Sequence, residues 1–214
     1  MDNLTRFAIS YKKNNSLPLI NLLGKDGNHK LPSTTATFNM TPAKSCPSKR
    51  LGLCKASLQG AKCYANKAEY FRPTVLPYRE RQAKLWQKIT AEEFASQFIL
   101  YNATRIKKFN MLRFSESGDF PSQADVNKVE KIARTIRKYG VKTYTYTSRS
   151  DLDFSACKNL IINGSGFIKK GISNQVNIIK NLKDKPKGFG ICPMNCRICK
   201  RCSTRGFRVV IKKH

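Results

Sequence analysis

Cysteine is the residue type that carries the most specific chemistry in this sequence. Four thiols, Cys192, Cys196, Cys199 and Cys202, stand within the run CPMNCRICKRC at 192–202. Such short spacings let one loop turn every sulfur inward at little closure entropy, which is what a shared metal requires. Zinc usually takes two well-separated CxxC knuckles, whereas four sulfurs in one compact run match the tight loops that hold [4Fe-4S] clusters. The spacing therefore predicts an iron–sulfur cluster, with zinc as the alternative metal. Arg197, Lys200 and Arg201 lie in the same run, where they can offset thiolate charge or simply add solubility.

A second group, Cys46, Cys54 and Cys63, is spread through SCPSKRLGLCKASLQGAKCYA. Three thiolates leave one tetrahedral position open, as a catalytic or ligand-binding metal needs. The fourth ligand would be Cys157, His29 or an outside molecule; the competing reading is three ordinary thiols. Cys157 itself, in DFSACKNL, reads as a packed core residue. The chain is thus expected to carry one or two metal centres.

Other candidates are weaker. Glu116 and Asp119 fall in SESGDF, close enough in sequence to share a magnesium ion or a substrate proton, or else to cap a turn and pair with an arginine. Ser117, Gly118 and Arg149 are the candidate cofactor contacts, because Gly118, like Gly164, admits close backbone approach and Arg149 suits a phosphate or carboxylate. Asp151 and Asp153 read as turn residues. Tyr144 and Tyr146 can stack on bases, but in a central strand such residues are usually core. No Walker loop, HExxH or nucleophile elbow is present, so hydrolytic and ATP-driven chemistry have no motif behind them.

The elements that must position these residues alternate between strand and helix. SLPLINLL (16–23) and STTATFNMT (33–41) read as short strands, and 41–77 as a cysteine-containing loop. Helical patterning begins at PYRERQAKLWQKI (77–89), and Thr90 with Glu93 forms a capping box that opens a helix through EFASQFILYNATRIKK. NMLRF (110–114) reads as a buried strand. Ser122 starts a helix with Val126, Val129, Ile132, Ala133 and Ile136 at helical spacing, ending at Gly140. VKTYTYT (141–147) and NLII (159–162) are two more strands. This alternation predicts an α/β fold with parallel strands and right-handed crossovers. The loops SESGDF (115–120), SRSD (148–151) and NGSG (163–166) would then share the carboxyl ends of the strands, where such folds bind ligands.

The whole chain of 214 residues suits a single domain, 1–214, with 188–214 as a C-terminal metal-binding segment. Lys and Arg total 41 against 13 acids, for a net charge of +28, and a folded body so cationic repels itself unless a polyanion offsets it. Nucleic acid, DNA or RNA, is the leading partner. From Ser155 onward there are fourteen cations and one acid, Asp184; Arg197, Lys200, Arg201, Arg205 and Arg208 are the candidate contacts. The bland alternative is a solvated lysine-rich face. The start MDNLTRFAIS does not read as a signal peptide and no apolar run approaches a membrane span, so a cytoplasmic protein without membrane association is expected. In that reducing setting eight cysteines point to metal rather than disulfides.

With SCP, CYA, RFSESGDF, YTYTSRS and ICPMNCRIC in this order from about Thr34 to Cys202, the chain resembles the phage gene-product-eighty-eight family. That resemblance implies a phage protein acting in an infected host cell. The family is in turn distantly similar to radical S-adenosylmethionine enzymes, which implies a partial (β/α) barrel and a [4Fe-4S] cluster held by three cysteines. The sequence departs from those enzymes in carrying its compact CxxxCxxC near the C-terminus, while its N-terminal trio is widely spaced. Three functions follow as expectations. The first is an iron–sulfur protein binding nucleic acid, its cluster nailing down the basic C-terminal segment. The second is a radical S-adenosylmethionine-like or other redox enzyme working at Cys46, Cys54 and Cys63. The third is a zinc-stapled protein docking on a polymerase.

Overall fold

A computed structural model provides the structure, which describes residues 18–24, 30–54 and 63–212. Among the described residues, seven strands form one sheet: β1 (Thr35–Phe38), β2 (Met111–Phe114), β3 (Lys142–Thr147), β4 (Leu160–Ser165), β5 (Asn174–Ile179), β6 (Gly190–Ile191) and β7 (Arg208–Lys212). Their order is β1-β2-β3-β4-β5-β7-β6, every pairing is parallel, and β1 and β6 are the two ends of the order, so the sheet does not close into a barrel. The first five strands are laid down one beside the next in chain order, and only the last two exchange places. The α/β reading with parallel strands agrees with this architecture.

Six α-helices among the described residues accompany the sheet: α1 (Pro18–Leu22), α2 (Pro47–Arg50), α3 (Tyr64–Phe71), α4 (Val75–Lys88), α5 (Ala91–Ala103) and α6 (Gln123–Arg137). Residues in register on parallel strands point the same way, and successive residues alternate between faces. One face therefore carries Ala36, Leu112 and Leu160, then Phe38, Phe114 and Ile162. All are buried, in one core with Trp86 of α4, Phe94 and Phe98 of α5, and the stripe Val126, Val129, Ile132, Ala133 and Ile136 of α6. Phe38, Trp86, Phe94 and Phe114 pack with ring centroids 5.1–6.1 Å apart, mostly edge to face, as ring quadrupoles favour. The opposite face is the more polar one: Thr37, Arg113 and Tyr144 share a row with Ile161, and Tyr146, Asn163 and Asn174 form another.

Several local readings hold. The capping box at the head of α5 is complete: the Glu93 amide donates to the Thr90 hydroxyl at 3.1 Å and the Thr90 amide to the Glu93 carboxylate at 2.8 Å. The five periodic apolar residues of α6 are its buried residues. Gly140, at φ +77°, ends the turn that follows.

Others are corrected. Within 16–23 the described part, Pro18–Leu22, is helical. Pro18 has no amide to leave unpaired at a helix start, the Leu19 amide finds Gln97 Oε1 at 3.1 Å, and Leu19 and Leu23, four apart, are both buried. The 41–77 stretch is not a loop throughout, since α2, α3 and the start of α4 lie in it. Helix α4 begins at Val75, ahead of Pro77, which is tolerated in a first turn where amides lack helical partners. Helix α5 stops at Ala103, because Asn102 turns its side chain onto both backbone groups of Phe109. NGSG is largely strand, as β4 runs through Ser165. Strands β5, β6 and β7 complete the sheet beyond the four of the five strand readings that it contains.

Candidate functional site

The loops that follow β1, β2 and β3 meet at one end of the sheet, and two buried carboxylates join them. Asp119 accepts from the Ser48 hydroxyl at 2.5 Å, from the Ser148 amide at 2.8 Å and from the Phe120 amide at 2.8 Å. Burial pushes its carboxyl up from the usual range, and the donors of Ser48, Ser148, Thr147 and Phe120 act against that. Glu69, on the inner side of α3, accepts from the amides of Ala43 and Lys44 at 2.6 and 2.9 Å and from the Ser117 hydroxyl at 3.2 Å. It also pairs with Arg79 of α4 at 2.9 Å, an ion pair buried on both sides. The Ser117 amide donates to Asn39, whose own amide donates to Gln82.

The residues read as cofactor contacts are therefore engaged within the chain. Ser117 is buried between Asn39 and Glu69. Gly118, at φ +72°, does permit a close approach, but to Thr41: a Cβ there would sit 2.0 Å from the Thr41 hydroxyl. At Gly164 a Cβ would meet the Phe167 carbonyl at 2.5 Å. Arg149 is buried, forks onto Asp151 at 2.7 and 2.8 Å, and donates to the carbonyls of Phe120 and Pro121. Asp153 accepts from the Ser155 amide, as a turn residue does. Of the acidic pair, Asp119 is spent on donors, while Glu116 is partly exposed and receives the Tyr64 hydroxyl on its backbone carbonyl at 2.5 Å. Ser115, between β2 and this loop, takes the strained φ of +55°.

The N-terminal thiols lie around the same end. Cys46 precedes α2 and Cys63 precedes α3. Burial pushes the Cys46 thiol up to about 11, with Asp119 and Cys54 adding to the effect. Cys157 is buried in the apolar core, as read from the sequence, and burial takes its thiol to about 12. His29 lies outside the described residues, as do 55–62 between Cys54 and Cys63.

The C-terminal thiols lie over the polar face of the sheet. Asn163 and Asn174, both buried in neighbouring strands, hold that segment by its backbone. Asn163 donates to the Cys202 carbonyl at 3.0 Å, and Asn174 donates to the Thr204 carbonyl at 2.7 Å while accepting the Phe207 amide at 2.9 Å. Asn174 also donates to Asn163 at 2.9 Å, so the pair forms one ladder. Beneath the thiols, the Arg113 guanidinium carbon stands 5.1 Å from the centre of the Tyr146 ring, a cation–π contact. Its Nε is buried with no hydrogen-bond partner among the described residues. Burial raises the thiols of Cys196 and Cys202; Arg113 acts against it at Cys196 and a hydrogen bond from Tyr146 at Cys202.

The four C-terminal sulfurs are neighbours in charge terms, since Cys192, Cys196 and Cys199 all act on Cys202. They are not closed around a point: among the described residues no three His, Cys, Asp or Glu side chains converge closely enough to hold a metal ion. Independently of any metal, the asparagine ladder fastens this segment to the sheet. Arg197, Lys200, Arg201, Arg205 and Arg208 are all exposed. Arg205 braces the segment by donating to Ser173 and to the carbonyls of Lys158 and Leu160, and Arg201 donates to the Ile191 carbonyl.

Sequence reasoning missed Glu69, Arg79, Arg113, Asn163 and Asn174. Asn163 and Asn174 carried a readable signal, as amides inside apolar strand segments require partners. Nothing in residue type or spacing distinguishes Glu69, Arg79 or Arg113 from the chain's many other charged residues. Among the described residues, no helix is long and apolar enough to cross a membrane.

No curated protein and no solved structure matches the chain, so the similarity to radical S-adenosylmethionine enzymes gains no support from either comparison. The Gene product 88 family matches over residues 10–167, which takes in β1 to β4 and the N-terminal thiols and stops short of Cys192 to Cys202. With most of its length so matched, the chain belongs to the Gene product 88 family, a phage gene-product family.

Proposed function

We propose that this protein binds nucleic acid through its cationic C-terminal segment, and that Cys192, Cys196, Cys199 and Cys202 hold a metal centre, [4Fe-4S] ahead of zinc, that stiffens it. The observation that carries the proposal is a set of exposed cations on a segment fastened to the sheet by buried asparagines. Fixing cations before binding reduces the entropy lost on a phosphate backbone. The charge excess is also not consumed internally: among the described residues three ion pairs form, Glu69–Arg79, Glu92–Lys131 and Asp151–Arg149. The thiols are partly exposed and near one another, so closing on a metal asks for side-chain rotation at accessible positions.

Retention on DNA and RNA that falls steeply with added salt tests the first part. Affinity unchanged by salt removes it. Iron, sulfide and zinc counts on anaerobically purified protein test the second, and neither metal present at stoichiometry removes the centre.

A radical S-adenosylmethionine-like redox enzyme at Cys46, Cys54 and Cys63 is the second reading. Its support is the one-way order of the first five strands and the position of those thiols at the sheet's loop-bearing end. Calorimetry with S-adenosylmethionine on the same preparation decides it, and absence of heat counts against it.

A further inference from the structure

Helix α3 separates its residues sharply between inside and outside. Ala65 and Glu69, four apart, face inward and are buried, and Glu69 is the helix's one acid, occupied by Arg79. The outer side carries Asn66, Lys67, Tyr70 and Phe71, all exposed or half-exposed. Tyr70 and Phe71 are 83% and 67% exposed, rings that burial in the core would ordinarily claim. They stand edge to face with centroids 5.0 Å apart, and Lys67, one turn back, places its ammonium 5.8 Å from the Phe71 ring. Arg72, also exposed, follows at once. Two bare rings flanked by two cations with no exposed acid on the helix make a surface with a defined complement.

We infer that the outer face of α3 is a stacking platform for unpaired bases, so that the nucleic acid bound by this chain is single-stranded where it crosses α3. Every base offers an aromatic face for Tyr70 or Phe71, and its phosphates suit Lys67 and Arg72. In a duplex those faces are already stacked on neighbouring bases, so exposed rings discriminate in favour of single strands. An apolar protein partner is disfavoured by the flanking cations and by the chain's net charge of +28.

The platform continues toward the C-terminal segment. Tyr64 opens α3 and bonds the Glu116 carbonyl in the loop after β2, the strand whose Arg113 reaches Tyr146 beside Cys202. Six helical steps lead from Tyr64 to Tyr70, a rise of about 9 Å.

The inference rests on the nucleic-acid reading, and one experiment separates the two. Wild type and Y70A/F71A are titrated with a fluorescein-labelled oligothymidylate of about 20 nucleotides and with a duplex of equal length. Both substituted side chains are exposed, and circular dichroism checks that the variant folds. The expected result is a loss of at least about fivefold for the single strand and an unchanged duplex affinity. In F71W, tryptophan emission is expected to be quenched by the single strand and not by the duplex. Wild-type binding with equal affinities in Y70A/F71A overturns the platform and leaves the nucleic-acid reading standing. Equal losses on both ligands also overturn it, as does a change in oligomeric state by sedimentation, which would assign the rings to a second copy. A wild type that binds neither ligand overturns the nucleic-acid reading itself.

Discussion

The side-chain amide of Asn163 on β4 donates to the backbone carbonyl of Cys202 at 3.0 Å, and this hydrogen bond ties the cysteine-rich segment to the polar face of the sheet. The same amide group donates to the Thr145 carbonyl at 2.9 Å, and its oxygen receives Asn174. Asn163 thus has both its donor and its acceptor groups engaged inside the protein, where an orphaned partner costs about 1–3 kcal/mol.

Asn163→Ala is expected to free the turn around Cys202 without disturbing the helical layer. Hydrogen exchange should accelerate in residues 200–207 and stay unchanged in α6. Unchanged protection in residues 200–207 would show that Asn174, Arg205 and β7 hold the segment without Asn163.

The buried pair Glu69–Arg79 joins α3, α4 and the loop after β1, with Ser117 and the amides of Ala43 and Lys44 on the same carboxylate. Removing one partner strands the other charge, so Glu69→Ala is expected to cost about 3–5 kcal/mol in urea unfolding. A cost below about 1 kcal/mol would mean that water reaches Arg79 easily.

Cys157 supplies an alkaline signature. Burial raises its thiol from the ordinary 9.0 to about 12, so the folded state keeps a proton that the unfolded chain has released. The folded state binds more protons in that interval, hence stability falls as pH rises from about 9 through about 12. The urea midpoint should decline over this window in the wild type and decline less in Cys157→Ala. Parallel slopes would assign the alkaline loss to other groups, such as Tyr144 and Tyr146, whose hydroxyls desolvation also raises.

The cationic segment predicts a salt signature. Replacing Arg197, Lys200 and Arg208 together by alanine should flatten the plot of log affinity against log salt by up to about 0.9 for each duplex phosphate that is no longer neutralised. A slope identical to wild type would place the phosphate-binding cations elsewhere. Arg205 is unsuitable for this test because it braces Ser173, Lys158 and Leu160.

Local signals were legible where one short stretch fixes the outcome. Thr90 and Glu93 satisfy each other three residues apart, and the stripe from Val126 to Ile136 has one side to bury. The parallel arrangement also followed from strand, helix and strand in succession. Pro18–Leu22 misled because a short apolar run reads alike as strand or helix, and packing against α5 settled it.

By itself, then, the sequence determined the class of fold, the capped and amphipathic helices, the grouping of thiols and the cationic excess, since each depends on residue type and near spacing. Tertiary structure decided the partners of the polar residues. It turned Asp119 and Ser117 inward, set Glu69 against Arg79 across ten residues, and laid Cys202 on Asn163 across thirty-nine. The physical reason is that a hydrogen bond or ion pair is fixed by where two chain segments meet, and that meeting is arranged by the packing of the whole sheet and its helices.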